Sequence, residues 1–203
     1  MLDYSIEHQL HEEGFSVVCG IDEAGRGPLC GPVFAAACIL PDGLVLEGLN
    51  DSKKLTPKKR DNLFDLICEN AIAYCIASAS VEEIDELNIL EADLLAMRRA
   101  IDGLSVKADF ALIDGNIARG FQIPARAVIG GDAKSPSIAA ASILAKVARD
   151  RDCIELDTKY PQYGIAKHKG YGTKQHMDAL RTYGPSPIHR KQFIRFLDKD
   201  ANS

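Results

Sequence analysis

No apolar run in this chain approaches the ~20 residues that a membrane-crossing helix needs. The longest clean one is Val33 to Leu40. The opening residues, MLDYSIEHQLHEEG, lack the basic-then-apolar order of a secretory signal, so a soluble cytoplasmic protein is expected. There is no CxxC pair. Cys19, Cys30, Cys38, Cys68, Cys75 and Cys153 therefore read as buried free thiols rather than a disulfide framework. An excess of positive charge is missing too: 24 Lys and Arg against 29 Asp and Glu leave a net charge of −5, which argues against coating nucleic acid by bulk attraction. No Gly-x-x-x-x-Gly-Lys-Ser/Thr sequence offers a phosphate-binding loop. Gly25-x-Gly27 is a poor dinucleotide fingerprint, because the next glycine comes late, at Gly31, and Pro28 interrupts. His8, His11, His168, His176 and His189 show no paired zinc spacing and are expected to be surface or polar-contact residues. Internal repeats and low-complexity tracts are absent.

What is present suits one domain: 203 residues, 46% of them hydrophobic, are enough for a sizeable core. Charge is uneven along the chain. Lys53, Lys54, Lys58, Lys59 and Arg60 form one basic cluster, and from Lys159 to Arg195 eight cations face only Asp178. Two basic patches on an acidic body suit local contact with a polyanion, although a solvated face is the commoner use of such a run.

Short apolar runs at Val17–Ile21, Gly31–Leu40, Ile72–Ala79, Phe110–Ile113 and Ala125–Ile129 read as strands, the first two as a hairpin-like opening. Between and after them lie helical signals. Thr56-Pro57 opens a helix to about Asn70, Ser80 with Glu83 forms a capping box, Ile89–Ile101 has helical spacing, and Pro136 to about Leu156 is Ala-rich. A further helix is expected at Thr173–Thr182, inside a C-terminal stretch of Gly, Pro, Lys and aromatics. Strands alternating with helices predict an α/β fold with a mixed central sheet.

Asp22, Glu23, Asp114 and Asp132 all follow strand signals, and in open α/β sheets functional side chains converge beyond the carboxyl ends of strands. Four converging carboxylates would repel one another unless divalent cations compensated them, and an all-oxygen set selects Mg²⁺ or Mn²⁺. Each acid also has an ordinary use in a turn or a helix cap. Gly25 and Gly27 around Arg26 allow close backbone approach to a ligand, or a plain tight turn. Tyr163 and Tyr171 lie among lysines and glycines, an interleaving that suits sugars and bases; core packing competes for Tyr163, less so for Tyr171.

With these residues in hand, the chain resembles ribonuclease HII, the prokaryotic type 2 ribonucleases H. The resemblance rests on IDEAGRGPL at 21–29, LNDSKKL at 49–55, LIDGN at 112–116, GGDAKSPSIAAASILAKVARD at 130–150 and QYGIAKHKGYGT at 162–173, in family order. It implies a ribonuclease H-like mixed sheet flanked by helices, with a small C-terminal helical subregion. Residues 1–16 would be an extension, 17–158 the catalytic core, and 159–203 a basic, substrate-contacting part of the same domain. The implied activity is cleavage of RNA in RNA/DNA hybrids and 5′ of ribonucleotides embedded in duplex DNA, by a monomer using two divalent cations, Mg²⁺ or Mn²⁺. Asp22, Glu23, Asp114 and Asp132 match the family's catalytic, metal-holding acids. Gly25, Arg26, Gly27 and Tyr171 match its reader of the RNA-to-DNA junction, and Lys53 is a candidate phosphate contact. Arginine at position 26 favours ribonuclease HII over the related ribonuclease HIII. The rival readings are a non-catalytic hybrid-binding protein and a small-molecule phosphohydrolase.

Overall fold

The computed structural model describes residues 2–49, 52 and 55–200. Five strands form one mixed sheet in the order β3-β2-β1-β4-β5. They are β1 (Val18–Ala24), β2 (Val33–Ile39), β3 (Ala73–Ala79), β4 (Phe110–Asp114) and β5 (Ala125–Val128). β1 and β2 pair antiparallel as the expected hairpin, β3 pairs antiparallel with β2, and β4 and β5 run parallel to β1.

Alternation along the strands decides what each face carries. Val33, Ala35, Ala37 and Ile39 of β2 join Cys19, Ile21, Ala111 and Ile113 against one helix, α4 (Ile89–Asp102). Ala36 and Cys38 turn the other way, onto α2 (Pro57–Asn70) and α5 (Pro136–Lys159). The α5 helix lies close because β1 has a glycine beneath it: a Cβ at Gly20 would stand 2.1 Å from the carbonyl carbon of Ser137. The caps read from sequence form as expected. Thr56 accepts from Lys59, and Ser80 and Glu83 make a reciprocal box at the start of α3 (Val81–Leu87).

The N-terminal residues, expected only as an extension, include a helix, α1 (Ser5–Glu12). Its Leu10 packs with Val18, Phe110 and Ile138, and its buried Glu7 accepts a 2.5 Å hydrogen bond from Ser135, the N-cap of α5. The C-terminal stretch holds α6 (Ile165–His168), α7 (Lys174–Tyr183) and α8 (Phe196–Asp200). It packs on α5 and the loop after β1 through Cys30, Cys153, Tyr163, Ile165 and Leu180. The six cysteines are free, with Cys68 and Cys75 only half-buried. Among the described residues no helix is long and apolar enough to cross a membrane.

Candidate active site

Asp22 and Asp114 reach the same place because β1 and β4 run parallel with Ile21 beside Ile113. The next residue of each strand then turns toward α5. Asp132 arrives from the short turn of helix after β5, where Gly131 donates its N–H to Asp114 Oδ1 at 2.7 Å. Carboxylate oxygens of these three residues lie within 4.8 Å of one another, with Asp22 and Asp132 buried. Burial first, then the neighbouring Glu23 and Asp114 charges, pushes Asp22 well above the usual carboxylate range. Crowded, partly buried carboxylates with an all-oxygen donor set fit a hard divalent cation, whose charge would remove the repulsion.

Glu23 does not join this trio. As the next residue of β1 it turns to the α4 face, where its carboxylate lies 3.7 Å from Arg26 Nη1. Arg26 Nε in turn lies 3.6 Å from the carboxylate of Asp93, on α4. Asp93 is buried, and its Oδ1 has no hydrogen-bond partner among the described residues. Burial and the Glu23 charge push it up to about 8 despite Arg26. Sequence reasoning missed this residue. The available signal was an acid beside Leu94 in the apolar pattern of α4.

The loop after β1 meets the C-terminal stretch. Tyr171 is half exposed, and its ring is so close to Gly27 that a Cβ there would stand 3.4 Å from Cε1. Gly25 has φ 106°, and a Cβ on it would come within 2.3 Å of Arg149 Nε. Arg149 also donates to the Lys169 carbonyl and lies over the Tyr171 ring. These residues line a cleft of about 420 Å³ with Ser52, Arg60 and Lys146. Lys53 lies outside the described residues. Its neighbour Ser52 is buried against Ser142 of α5, hydroxyl to hydroxyl at 2.9 Å.

One expectation about the C-terminal stretch needs correction. Arg190, counted with the polyanion-facing cations, is fully buried, while Lys174 and Arg181 are both paired with Asp178. His176 and His189 are polar-contact residues, as expected, and both are buried. The N–H of Ser186 donates to His189 Nδ1 at 3.1 Å, so the proton of His189 sits on Nε2. That group then donates to His176 Nε2, also 3.1 Å away, and His176 Nδ1 donates to the Tyr171 carbonyl. Burial lowers both histidines, His189 to about 4. Cys30 Sγ lies near the pair, but this tautomer chain already occupies both facing Nε2 atoms, which argues against a metal centre there.

The Ribonuclease HII family model matches residues 19–196, nearly the whole of this arrangement. The chain belongs to the ribonuclease HII family. A ribonuclease HII from Desulfitobacterium hafniense is 58% identical over 187 residues, covering 92% of this chain and 72% of that protein. One from Caldicellulosiruptor bescii is 52% identical over 192 residues, 95% of this chain and 93% of that protein. Among solved structures, the ribonuclease H2 of Pyrococcus horikoshii superposes with a TM-score of 0.75 at 28% identity, covering 91% of this chain and 98% of that one. The fold is thus ribonuclease H-like, and the protein is an endoribonuclease of a metal-dependent family.

Proposed function

We propose that this chain hydrolyses the RNA strand of RNA/DNA hybrids and cuts 5′ of ribonucleotides embedded in duplex DNA, as a cytoplasmic monomer, leaving 5′-phosphate and 3′-hydroxyl ends. One observation carries the reading: the Asp22, Asp114 and Asp132 carboxylates crowd at the end of the strand from which the Gly25–Gly27 loop continues, with Tyr171 against that loop. Asp22, Glu23, Asp114 and Asp132 are assigned to two divalent cations, Mg²⁺ or Mn²⁺. When bound, the cations would supply Lewis-acid charge at the scissile phosphate and lower the pKa of the attacking water.

The chain's own residues supply position. Backbone groups at Gly25, Arg26 and Gly27 can pair with a 2′-hydroxyl, which both donates and accepts, whereas deoxyribose would leave them unmatched. The exposed Tyr171 ring suits contact with the sugar, and its hydroxyl can reach the 2′-oxygen. Asp93 and Glu23 hold Arg26 at the mouth of the cleft. Lys53, by resemblance, is the candidate for a phosphate contact, which fixes register without reading sequence; Arg60 and Lys146 line the cleft, each paired with Asp150.

Cleavage of a duplex carrying one ribonucleotide, with and without chelator, tests this directly. The expected result is a single cut 5′ of the ribonucleotide, silenced by chelator and restored by Mg²⁺ or Mn²⁺, with the all-DNA duplex left whole. Full activity in chelator would overturn the metal assignment. Binding without cutting would favour a hybrid-binding protein, and release of phosphate from mononucleotides alone would favour a small-molecule phosphohydrolase.

A further inference from the structure

Among the described residues Arg190 is the largest fully buried side chain, and it comes from a segment whose other lysines and arginines are exposed or, at Lys169, half-buried. Its guanidinium has five N–H groups, and each one finds a backbone carbonyl. Nε donates to Gly31 at 2.9 Å, Nη1 to Arg26 at 3.0 Å and Pro28 at 2.9 Å, and Nη2 to Gly25 at 2.7 Å and Pro32 at 3.2 Å. All five acceptors lie between positions 25 and 32, so one side chain gathers nearly every turn of the loop that follows β1. Burial lowers Arg190 to about 10, with Arg149 adding to the effect, so it stays charged at neutral pH. A charged donor to neutral carbonyls makes each of these bonds stronger than an ordinary amide pair.

The main chain around Arg190 repeats the attachment. Its own N–H donates to Leu29, and the N–H of Gly31 donates to Ile188. On the other side of the loop, Leu29 donates to Gly170, next to Tyr171. The loop is therefore held between 168–171 and 188–190, with its carbonyls drawn inward. Carbonyls tied up in this way fix the peptide planes at Gly25 and Arg26, and thus the directions in which the loop's remaining groups point.

We propose that Arg190 is a positioning residue for ribonucleotide recognition: by engaging the carbonyls of Gly25, Arg26 and Pro28 it sets the peptide orientations that let the loop tell ribose from deoxyribose. The proposal rests on the reading of Gly25–Gly27 and Tyr171 as the sugar reader. A group that merely staples the fold would weaken everything the protein binds in parallel. A group that sets recognition changes the preference between two duplexes differing by one hydroxyl.

The test is Arg190→Lys, which keeps the charge but cannot span five carbonyls. Affinities for two duplexes, identical except for one ribonucleotide in place of a deoxyribonucleotide, are measured in chelator, and kcat/KM on the ribonucleotide duplex is measured with Mg²⁺. The expected result is cooperative unfolding, unchanged affinity for the all-DNA duplex, and loss of about tenfold in both the ribonucleotide preference and kcat/KM, the scale expected when a binding group loses its preset geometry. An unchanged preference, or a parallel fall in both affinities, overturns the proposal. Should Arg190→Lys not fold, Arg190→Gln, which removes the buried charge and keeps two donors, is measured in the same way. If neither variant folds, Arg190 is a folding staple and the proposal is wrong. Arg26→Ala and Tyr171→Phe separate the underlying reading: if both retain full preference, the sugar-reader assignment fails and takes this proposal with it. If they lose preference while Arg190→Lys keeps it, only this proposal fails.

Discussion

At the end of β1 and β4, three carboxylates crowd within 4.8 Å of one another; a few residues further on, five carbonyls of the next loop surround one guanidinium. The first arrangement places like charges together and raises Asp22 by burial and repulsion. The second satisfies every donor from within the chain. The difference teaches where each part of the chemistry must come from. On the proposed reading, the electrostatically incomplete site is completed from outside, by a cation. A site whose polar groups are already paired is rigid before substrate arrives, which suits discrimination between two sugars.

The sharpest way to break this contrast is to neutralise an acid. Asp22→Asn or Asp114→Asn should cut turnover by roughly three orders of magnitude or more, because the lost charge is the one assigned to metal holding. In chelator the same variants should unfold at the same temperature as the parent or higher, since a repelling charge has gone. Near-normal turnover in Asp22→Asn, or a large loss of stability without metal, would dissolve the distinction. Glu23→Gln asks a narrower question. This side chain lies outside the 4.8 Å trio and beside Arg26, although its charge still raises Asp22, so a loss as deep as that of Asp22→Asn would assign it to the metal, whereas a shallow one would assign it to holding Arg26.

The next effect is smaller and belongs to the loop. Tyr171→Phe removes one hydroxyl from a half-exposed ring and should leave the fold intact. Losing its hydrogen bond to the sugar costs ~1 kcal/mol, rising to ~3 if a buried partner is left unpaired, so cleavage of a single-ribonucleotide duplex should slow by about fivefold to a hundredfold. Arg26→Ala should lower it further. Unchanged kinetics in both would remove the loop from recognition.

How much of this was legible in the sequence differs between the two regions for a physical reason. Strand ends announce themselves locally, by an apolar run followed by an acid and a glycine, so Asp114 and the hairpin could be read from a few residues each. The same holds for the caps at Thr56 and Ser80. Which acids meet depends on register, and alternation along β1 sends Glu23 to the face opposite Asp22. Arg190 could not be found in this way. Its partners lie 158–165 residues away, and nothing adjacent distinguishes it from Lys191 or Arg195 in the same basic stretch. The paired histidines escaped for the same reason, being 13 residues apart without a ligand spacing. The α1 helix is the exception: Ile6 and Leu10 are a helical turn apart and pack together in the same small core, a signal that was present and unused.

Acidification should move the two regions in opposite directions. In the cation-free protein Asp22 has a raised folded-state value, so its contribution to stability is present at low pH and lost as pH rises through that value. His189 is the reverse. Its folded value is lowered from 6.5 to about 4, so the unfolded chain takes up a proton that the folded chain refuses, and stability is lost as pH falls through that window. The cause is structural: Nδ1 already accepts from the Ser186 N–H and Nε2 already donates to His176, so an added proton would set two donors against each other. His189→Asn keeps a short acceptor for Ser186 but cannot titrate. Urea unfolding in chelator at pH 7 and pH 4.5 should therefore show wild type losing more stability than His189→Asn, by roughly 1 to 3 kcal/mol. Asp22→Asn should lose more than wild type over the same interval, because the compensating gain at the acidic end has been removed. Parallel losses in all three proteins would mean that neither region titrates as its surroundings require.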